Sequence, residues 1–199
     1  MNKGKILIVD DEEEIVEQFA RALKGQGYAV EPAYSGEEAW DKYQGQYFDV
    51  VLADWKMGKM NGLELLKKID DNVPHSQVIM ITAFGDEDCA LEAHHYHAFD
   101  FLKKPVDRQT LIDAVGKAIE RRDPIIRTLE NWVEENPEEA DAKISVDFSN
   151  PEKPWSVRDT LEAIRHNTPW GREQYEEIID LTIYLMTRGE VDRRKPERA

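Results

Sequence analysis

The chain has 199 residues, 41 % of them hydrophobic, which is enough for a folded core and excludes wholesale disorder. It carries 41 acidic against 26 basic side chains, a net charge of −15. That field repels phosphate backbones and anionic lipid surfaces, so nucleic acid and membrane are expected not to be partners. Charge partition says the same of both halves: residues 1–120 hold 13 basic and 23 acidic groups, residues 121–199 hold 13 and 18. A single cysteine, Cys89, excludes an internal disulfide and a multi-cysteine zinc site. No apolar run approaches the roughly 18 residues of a membrane span, and Lys3–Lys5 lead into a short apolar stretch and an acidic cluster rather than a signal peptide. A soluble cytoplasmic protein is expected.

Short apolar runs at Ile6–Val9, Val50–Ala53, Val78–Ile81 and Ala98–Leu102 suit strands buried on both faces, and Tyr28–Ala33 is a weaker, more polar one. Helical spacing lies between them. Ile15, Phe19, Ala22 and Leu23 make a first helix, with Gly27 as a stop. Ser35 before Glu37 and Glu38 is an N-cap with acids in the first turn. Leu63, Leu66 and Ile69 mark a third helix, Ala90 and Ala93 a fourth, and Leu111, Ile112, Val115 and Ile119 a fifth. Strand and helix in fivefold alternation predict an α/β domain over residues 1–122, a doubly wound five-stranded parallel sheet with its ligand site at the carboxyl strand ends.

Residues 123–199 read as a mainly helical C-terminal extension. Asp123-Pro124 opens a helix to about Glu135, and Asn136–Ala142 reads as an acidic loop. Ile144, Val146 and Phe148 alternate as a short strand, and Asn150–Pro154 is a break. Ser156 with Asp159 predicts a capping box for a helix to His166. Thr168-Pro169 caps a longer helix ending near Arg188, with Gly189 beyond it. Trp132, Trp155 and Trp170 are expected to anchor helix packing. Tyr175, Ile178, Ile179, Thr182, Leu185 and Met186 share a face that is buried either within the tail or in a homodimer or partner surface. Ile112, Val115, Ile119, Ile126, Leu129 and Val133 would form one stripe if the helix ran on through Asp123-Pro124; Arg122 interrupts it and Pro124 allows a hinge.

The chemistry sits at strand ends. Asp10 and Asp11 follow the first strand, Asp54 the third, Thr82 ends the fourth, and Lys104 follows the fifth. Convergent carboxylates repel unless a divalent cation joins them, and oxygen donors alone favour Mg2+. Acids for a metal, a carboxylate free to attack, a hydroxyl and a lysine make a phosphoryl-transfer site. Lys103 competes with Lys104, but alternation along the strand sends the two to opposite sides. His94, His95 and His97 do not share a helix face and read as a surface cluster.

The stretches KILIVDDE, DVVLADWKMGKMNGLELL, VIMITAFG and AFDFLKKPVD resemble the receiver domain of two-component response regulators, over about residues 3–121. The resemblance implies a flavodoxin-like receiver in which Asp54 is the phosphoacceptor. It places Asp10, Asp11, Asp54 and the Lys56 carbonyl at Mg2+, Thr82 and Lys104 at the phosphoryl group, and Thr82 and Phe101 as the switch. Its partners would be a histidine kinase or phosphotransfer protein and a downstream protein, and its only catalysis its own phosphorylation and dephosphorylation. Three positions depart from the family pattern: Gly58 stands for a usual proline, Asn61 for a common aspartate, and His97 for the glycine that ends the fourth helix. None removes a reactive group. No output domain is recognisable in the tail, which lacks a basic recognition helix and enzyme motifs. A protein–protein module is the expectation. A DNA-binding tail using Arg158, Arg165 and Arg172, or an unphosphorylated scaffold, are the alternatives.

Overall fold

The computed structural model describes residues 3–72, 75–83, 96–143 and 155–192, with side chains up to residue 186. The fourth helix, Phe84, Cys89, His94, His95, the strand at 144–148 and the break at 150–154 lie outside the described residues. Two compact units divide the chain, residues 1–123 and 124–199.

The first unit contains β1 (Lys5–Val9), α1 (Glu13–Lys24), β2 (Ala29–Ala33), α2 (Gly36–Gly45), β3 (Val50–Asp54), α3 (Gly62–Asn72), β4 (Gln77–Thr82), β5 (Asp100–Lys103) and α4 (Arg108–Glu120). The five strands form one parallel sheet in the order β2-β1-β3-β4-β5. The apolar strand runs are continuous because both sheet faces are covered. Leu7, Val9, Val51, Ala53 and Met80 pack under α2 and α3. Their neighbours Ile6, Ile8, Val50, Leu52 and Ile81 pack under α1 and α4. β2, the polar run, is an edge strand and holds Pro32, which an edge tolerates because its missing N–H breaks no inner ladder. The Ser35 hydroxyl accepts from the Glu38 N–H, as its cap position predicts. Asp107 caps α4 by accepting from the N–H groups of Gln109 and Thr110. β5 starts at Asp100, two residues later than the apolar run beginning at Ala98.

The second unit contains α5 (Pro124–Glu135), α6 (Pro137–Ala140), α7 (Val157–Arg165) and α8 (Pro169–Asp192). Its core is Ile126, Val133, Ala140, Leu161 and Ile164, with Leu129, Tyr175 and Ile178 against it. The capping box at Ser156 and Asp159 is present in both directions. Lys143, with the Ser156 hydrogen bonds, holds the Asp159 carboxyl down at about 2. Thr168 accepts from the Gly171 N–H at the head of α8.

Three expectations are corrected. The acidic segment after Asn136 contains a helical turn, α6, because Pro137 occupies a first-turn position where no donor is needed. α8 runs through Gly189 to Asp192 rather than stopping near Arg188; glycine permits a left-handed stop without compelling one. Of the two arrangements open to the six-residue stripe, the interrupted one is present. α4 ends at Glu120, Val115 and Ile119 join the first unit's core, and Ile126, Leu129 and Val133 join the second's. Of the three tail tryptophans, Trp155 and Trp170 stack with centroids 4.0 Å apart, whereas Trp132 is exposed.

Candidate functional site

The register of the sheet builds the site. Val9 lies opposite Ala53, so Asp10 and Asp54 leave neighbouring strands at the same edge, where the strand order reverses. Thr82 lies opposite Lys103, and the Lys104 N–H donates to the Thr82 carbonyl. Asp10, Asp54, Thr82 and Lys104, spread over 95 positions of sequence, are thus delivered to one sheet edge by parallel pairing.

Asp10 and Asp54 are both buried and are turned by the same device. One oxygen of each accepts the N–H two residues on: Asp10 Oδ1 from Glu12 at 2.9 Å and Asp54 Oδ2 from Lys56 at 3.0 Å. The remaining oxygens face Lys104. Its Nζ donates to Asp10 Oδ2 at 2.8 Å and lies 2.8 Å from Asp54 Oδ1. Glu12 Oε1 stands farther off, 3.7 Å from the same ammonium. Asp11 is exposed, and oxygens of Asp10, Asp11 and Asp54 lie within 4.8 Å of one another. Lys56 supplies backbone to this group. Lys103 is exposed. The Thr82 hydroxyl donates to the Ala83 carbonyl at 3.2 Å. Phe101 is half-buried against the core under α2 and α3. His97 adopts φ 56°, a left-handed conformation, with Nδ1 3.2 Å from both carboxylate oxygens of Asp70.

Among the described residues Lys104 is seen to meet the carboxylates of Asp10 and Asp54, with Glu12 farther off, and the electrostatics register the surplus of negative charge. Burial raises the Asp54 carboxyl above the ordinary carboxylate range; Lys104 pulls it down and Asp10 pushes it up. Burial opposes the charge on Lys104, yet its hydrogen bonds to Asp10 and Asp54 hold its pKa above the ordinary lysine value. A cluster of hard oxygen donors with surplus negative charge fits a small divalent cation of the Mg2+ type.

Sequence reasoning missed Gly62. A Cβ there would sit 2.2 Å from the Asp54 carbonyl oxygen and 2.8 Å from Met80 Cε. Its N–H donates to the Trp55 carbonyl, so the loop after Asp54 folds back under its own start. The only signal was an Asn-Gly step before α3, which reads as an ordinary turn. Gly62→Ala is expected to destabilise the first unit by about 1–3 kcal/mol and to displace the Asp54 backbone. Thermal unfolding and small-phosphodonor labelling check this together; a variant unchanged in both would show that the loop yields freely.

Comparison with known proteins follows the same outline. The response regulator receiver domain family matches residues 6–116. The alginate biosynthesis transcriptional regulatory protein AlgB of Pseudomonas syringae is 36 % identical over 121 residues, 61 % of this chain and 27 % of that protein. The DNA-binding transcriptional regulator NtrC of Klebsiella pneumoniae is 40 % identical over 119 residues, 60 % of this chain and 25 % of its own length. The chain therefore spans about a quarter of the length of these curated relatives. Among solved structures, a receiver domain protein from Clostridium thermocellum superposes with a TM-score of 0.57 at 38 % identity, covering 59 % of this chain and 94 % of that one. The relatives' names lend no support to the expectation that nucleic acid is not a partner, since they are transcriptional regulators. Among the described residues no helix is long and apolar enough to cross a membrane. With a five-stranded parallel sheet in this order and three carboxylates at its switch point, the chain belongs to the response regulator receiver domain family.

Proposed function

We propose that the chain is a phosphorylation-dependent response regulator in which Asp54 accepts a phosphoryl group from a histidine kinase or phosphotransfer protein. The observation that carries this is the position of Asp54 Oδ1, 2.8 Å from Lys104 Nζ and within the oxygen cluster of Asp10 and Asp11. An Asp54 oxygen attacks phosphorus as the donor's nitrogen–phosphorus bond breaks, and the electron pair leaves on the donor imidazole. Lys104 neutralises a phosphoryl oxygen, and the Thr82 hydroxyl takes another. Asp10, Asp11, Asp54 and the Lys56 carbonyl would hold Mg2+, which supplies charge neutralisation. Thr82 and Phe101 then reposition, and the binding preference of the signalling face around β5 and α4 changes. The test is incubation of the purified chain with a small phosphodonor and Mg2+. A single acid-stable, base-labile adduct that disappears on chelation of the metal is expected. An adduct insensitive to chelation, or none, overturns the reading.

The lifetime of the adduct depends on what flanks it. The family resemblance sets the residues two positions beyond Asp54 and Thr82 beside the phosphoryl group; of these Lys56 offers no base to activate water, and Phe84, outside the described residues, is bulky and apolar. A slow hydrolysis is expected, which Phe84→Glu or Lys56→Asn alters by more than about twofold, roughly 0.4 kcal/mol in barrier. Equal decay rates in all three chains would remove both residues from the gating of water.

The second unit serves as a protein–protein output module in this reading. The names of the relatives favour a second one, a transcriptional role, although the match to them lies in the receiver. Against a DNA-binding tail stand the three arginines that it would use, which pair within the tail. Arg158 pairs with Asp141, Arg165 with Glu130 and Glu162, and Arg172 donates to the Asn167 carbonyl. Mobility shift at physiological salt separates the two readings.

A further inference from the structure

α1 and α4 pack on the same face of the sheet, and a cavity of about 360 Å3 opens between them. Its floor is apolar: Phe19 and Leu111 are buried, and Ala22 and Val106 are half-buried. Its mouth is cationic, because the exposed Arg21 and Arg108 line it from the two helices. Neither arginine is explained by its own helix. Arg108 is the first residue of α4, the end at which the macrodipole disfavours a cation. Its Nη2 reaches across to within 3.8 Å of where a Cβ on Gly25 would stand, at the end of α1. It does not serve there as a cap: the Arg21, Leu23 and Lys24 carbonyls accept from the N–H groups of Gly25, Gln26 and Gly27. Arg21 donates through Nε to the Glu17 carbonyl at 3.3 Å, a bond that leaves its Nη groups unused. Among the described residues no carboxylate forms an ion pair with either guanidinium. Asp107, the acid next to Arg108, is turned to the N–H groups of Gln109 and Thr110.

Two guanidinium groups over an apolar floor select a ligand class. Planar guanidinium forks bind carboxylates through paired hydrogen bonds and are weakly hydrated, so they exchange water for a ligand at low cost. The floor adds burial of a hydrocarbon body. The volume lies in the lower part of the range of roughly 300–1,000 Å3 typical of small-ligand sites. Charge excludes larger anions. The chain carries −15, so a polyanion or an anionic lipid surface meets a repulsive field over its whole length. A single carboxylate responds mainly to the charges within a Debye length, about 10 Å, where these two arginines stand.

We propose that the cavity between α1 and α4 binds a small amphipathic carboxylate, its anionic head held by Arg21 and Arg108 and its apolar body lying on Phe19 and Leu111. The inference stands or falls independently of phosphorylation at Asp54. The experiment is titration of the full chain with 3-phenylpropionate, followed by backbone amide chemical shifts. Saturable shifts at Phe19, Ala22 and Leu111 are expected, with a dissociation constant in the millimolar range or tighter. The uncharged 3-phenylpropionamide, with the same apolar body, should bind at least about tenfold more weakly, the worth of one charge-assisted hydrogen bond. Arg21→Gln with Arg108→Gln should weaken binding of the carboxylate by the same factor. Both arginines are exposed, so the thermal transition of that variant should be retained. Ala22→Phe keeps both charges but fills the cavity from α1, and should exclude the probe. A parent chain without saturable shifts overturns the proposal, including the case in which only a protein segment occupies this face. Equal binding of the amide, or full binding by the arginine variant, overturns the carboxylate site. Inorganic phosphate binding as tightly as the probe overturns the role of the apolar floor, and so does full binding by Ala22→Phe. Shifts confined to the surroundings of Lys104 place the probe at the carboxylate site instead and overturn it as well.

Discussion

Asp54→Asn is expected to abolish labelling by a small phosphodonor while making the metal-free protein more stable. The first effect follows from chemistry: an amide lacks the nucleophilic oxygen pair of a carboxylate, so labelling falls at least about a hundredfold, roughly 2.7 kcal/mol in barrier. The second follows from burial. Asp54 is 5 % exposed, and burial raises its carboxyl above the ordinary value of 3.8, with Asp10 adding to the shift and Lys104 opposing it. A folded-state pKa above the unfolded one means that the folded chain holds the proton longer. Stability is therefore highest below the unfolded value and is lost as pH rises through the folded one. At neutral pH the full penalty of the ionised carboxylate is present, and the neutral, nearly isosteric asparagine removes it. Without Mg2+ the variant should melt higher than the parent. The parent should gain more on adding Mg2+, because binding to the native state stabilises by mass action and the variant has lost a charged ligand. The same ionisation sets a pH dependence of labelling, which should fall as acid protonates Asp54. Full labelling of the variant would remove Asp54 from the role of phosphoacceptor. A lower melting point without metal would show that the Lys104 contact outweighs the cost of burial.

Asp49→Ala is expected to cost the first unit about 3–5 kcal/mol, the usual range when one partner of a buried ion pair is removed. Asp49 is 4 % exposed, at the amino-terminal edge of β3, opposite the carboxylate site. One carboxylate oxygen accepts the Lys5 N–H at 2.6 Å, and the other accepts from Arg122 Nη1 at 2.7 Å. The Arg122 Nε donates in turn to the Ile119 carbonyl at the end of α4. A single side chain thus ties the start of β1, the approach to β3 and the end of α4 together. Its removal takes the carboxylate partner from the Arg122 guanidinium, whose side chain is 12 % exposed, and the Asp49 acceptor from the Lys5 N–H. For a unit of this size the loss corresponds to a fall of roughly 10–20 °C in melting temperature. Asp49→Asn keeps an acceptor for Lys5 and should cost less. Chemical denaturation read by circular dichroism checks both. A cost below about 1 kcal/mol for the alanine variant would place the pair among surface-like bridges of little worth.

Much of the molecule is legible in the sequence because it is local. Apolar runs of four to six residues, the caps at Ser35 and Ser156, and proline at helix starts each act within one turn or one strand. Their alternation is enough for the parallel sheet, and strand ends are then enough for Asp10, Asp54, Thr82 and Lys104 to converge. Strand alternation separates Lys103 from Lys104, the resemblance places the lysine before Pro105, and Lys104 is the one seen at the carboxylates of Asp10 and Asp54.

What the tertiary structure alone decided concerns pairs distant in sequence and space too small for an atom. The Asp49–Arg122 bridge joins residues 73 apart, and neither residue lies in a pattern that names the other. Gly62 and Gly171 are required by close backbone approach, to Asp54 and to Ala163, and no periodicity records the lack of room for a Cβ. The stripe from Ile112 to Val133 has one spacing but serves two cores, because spacing gives the face of a helix and not the body it packs on. The same limit applies to α8. Its apolar residues are plain in the sequence, but only the fold separates Tyr175 and Ile178, which meet the tail core, from Leu181, Leu185 and Met186, which extend past it into solvent.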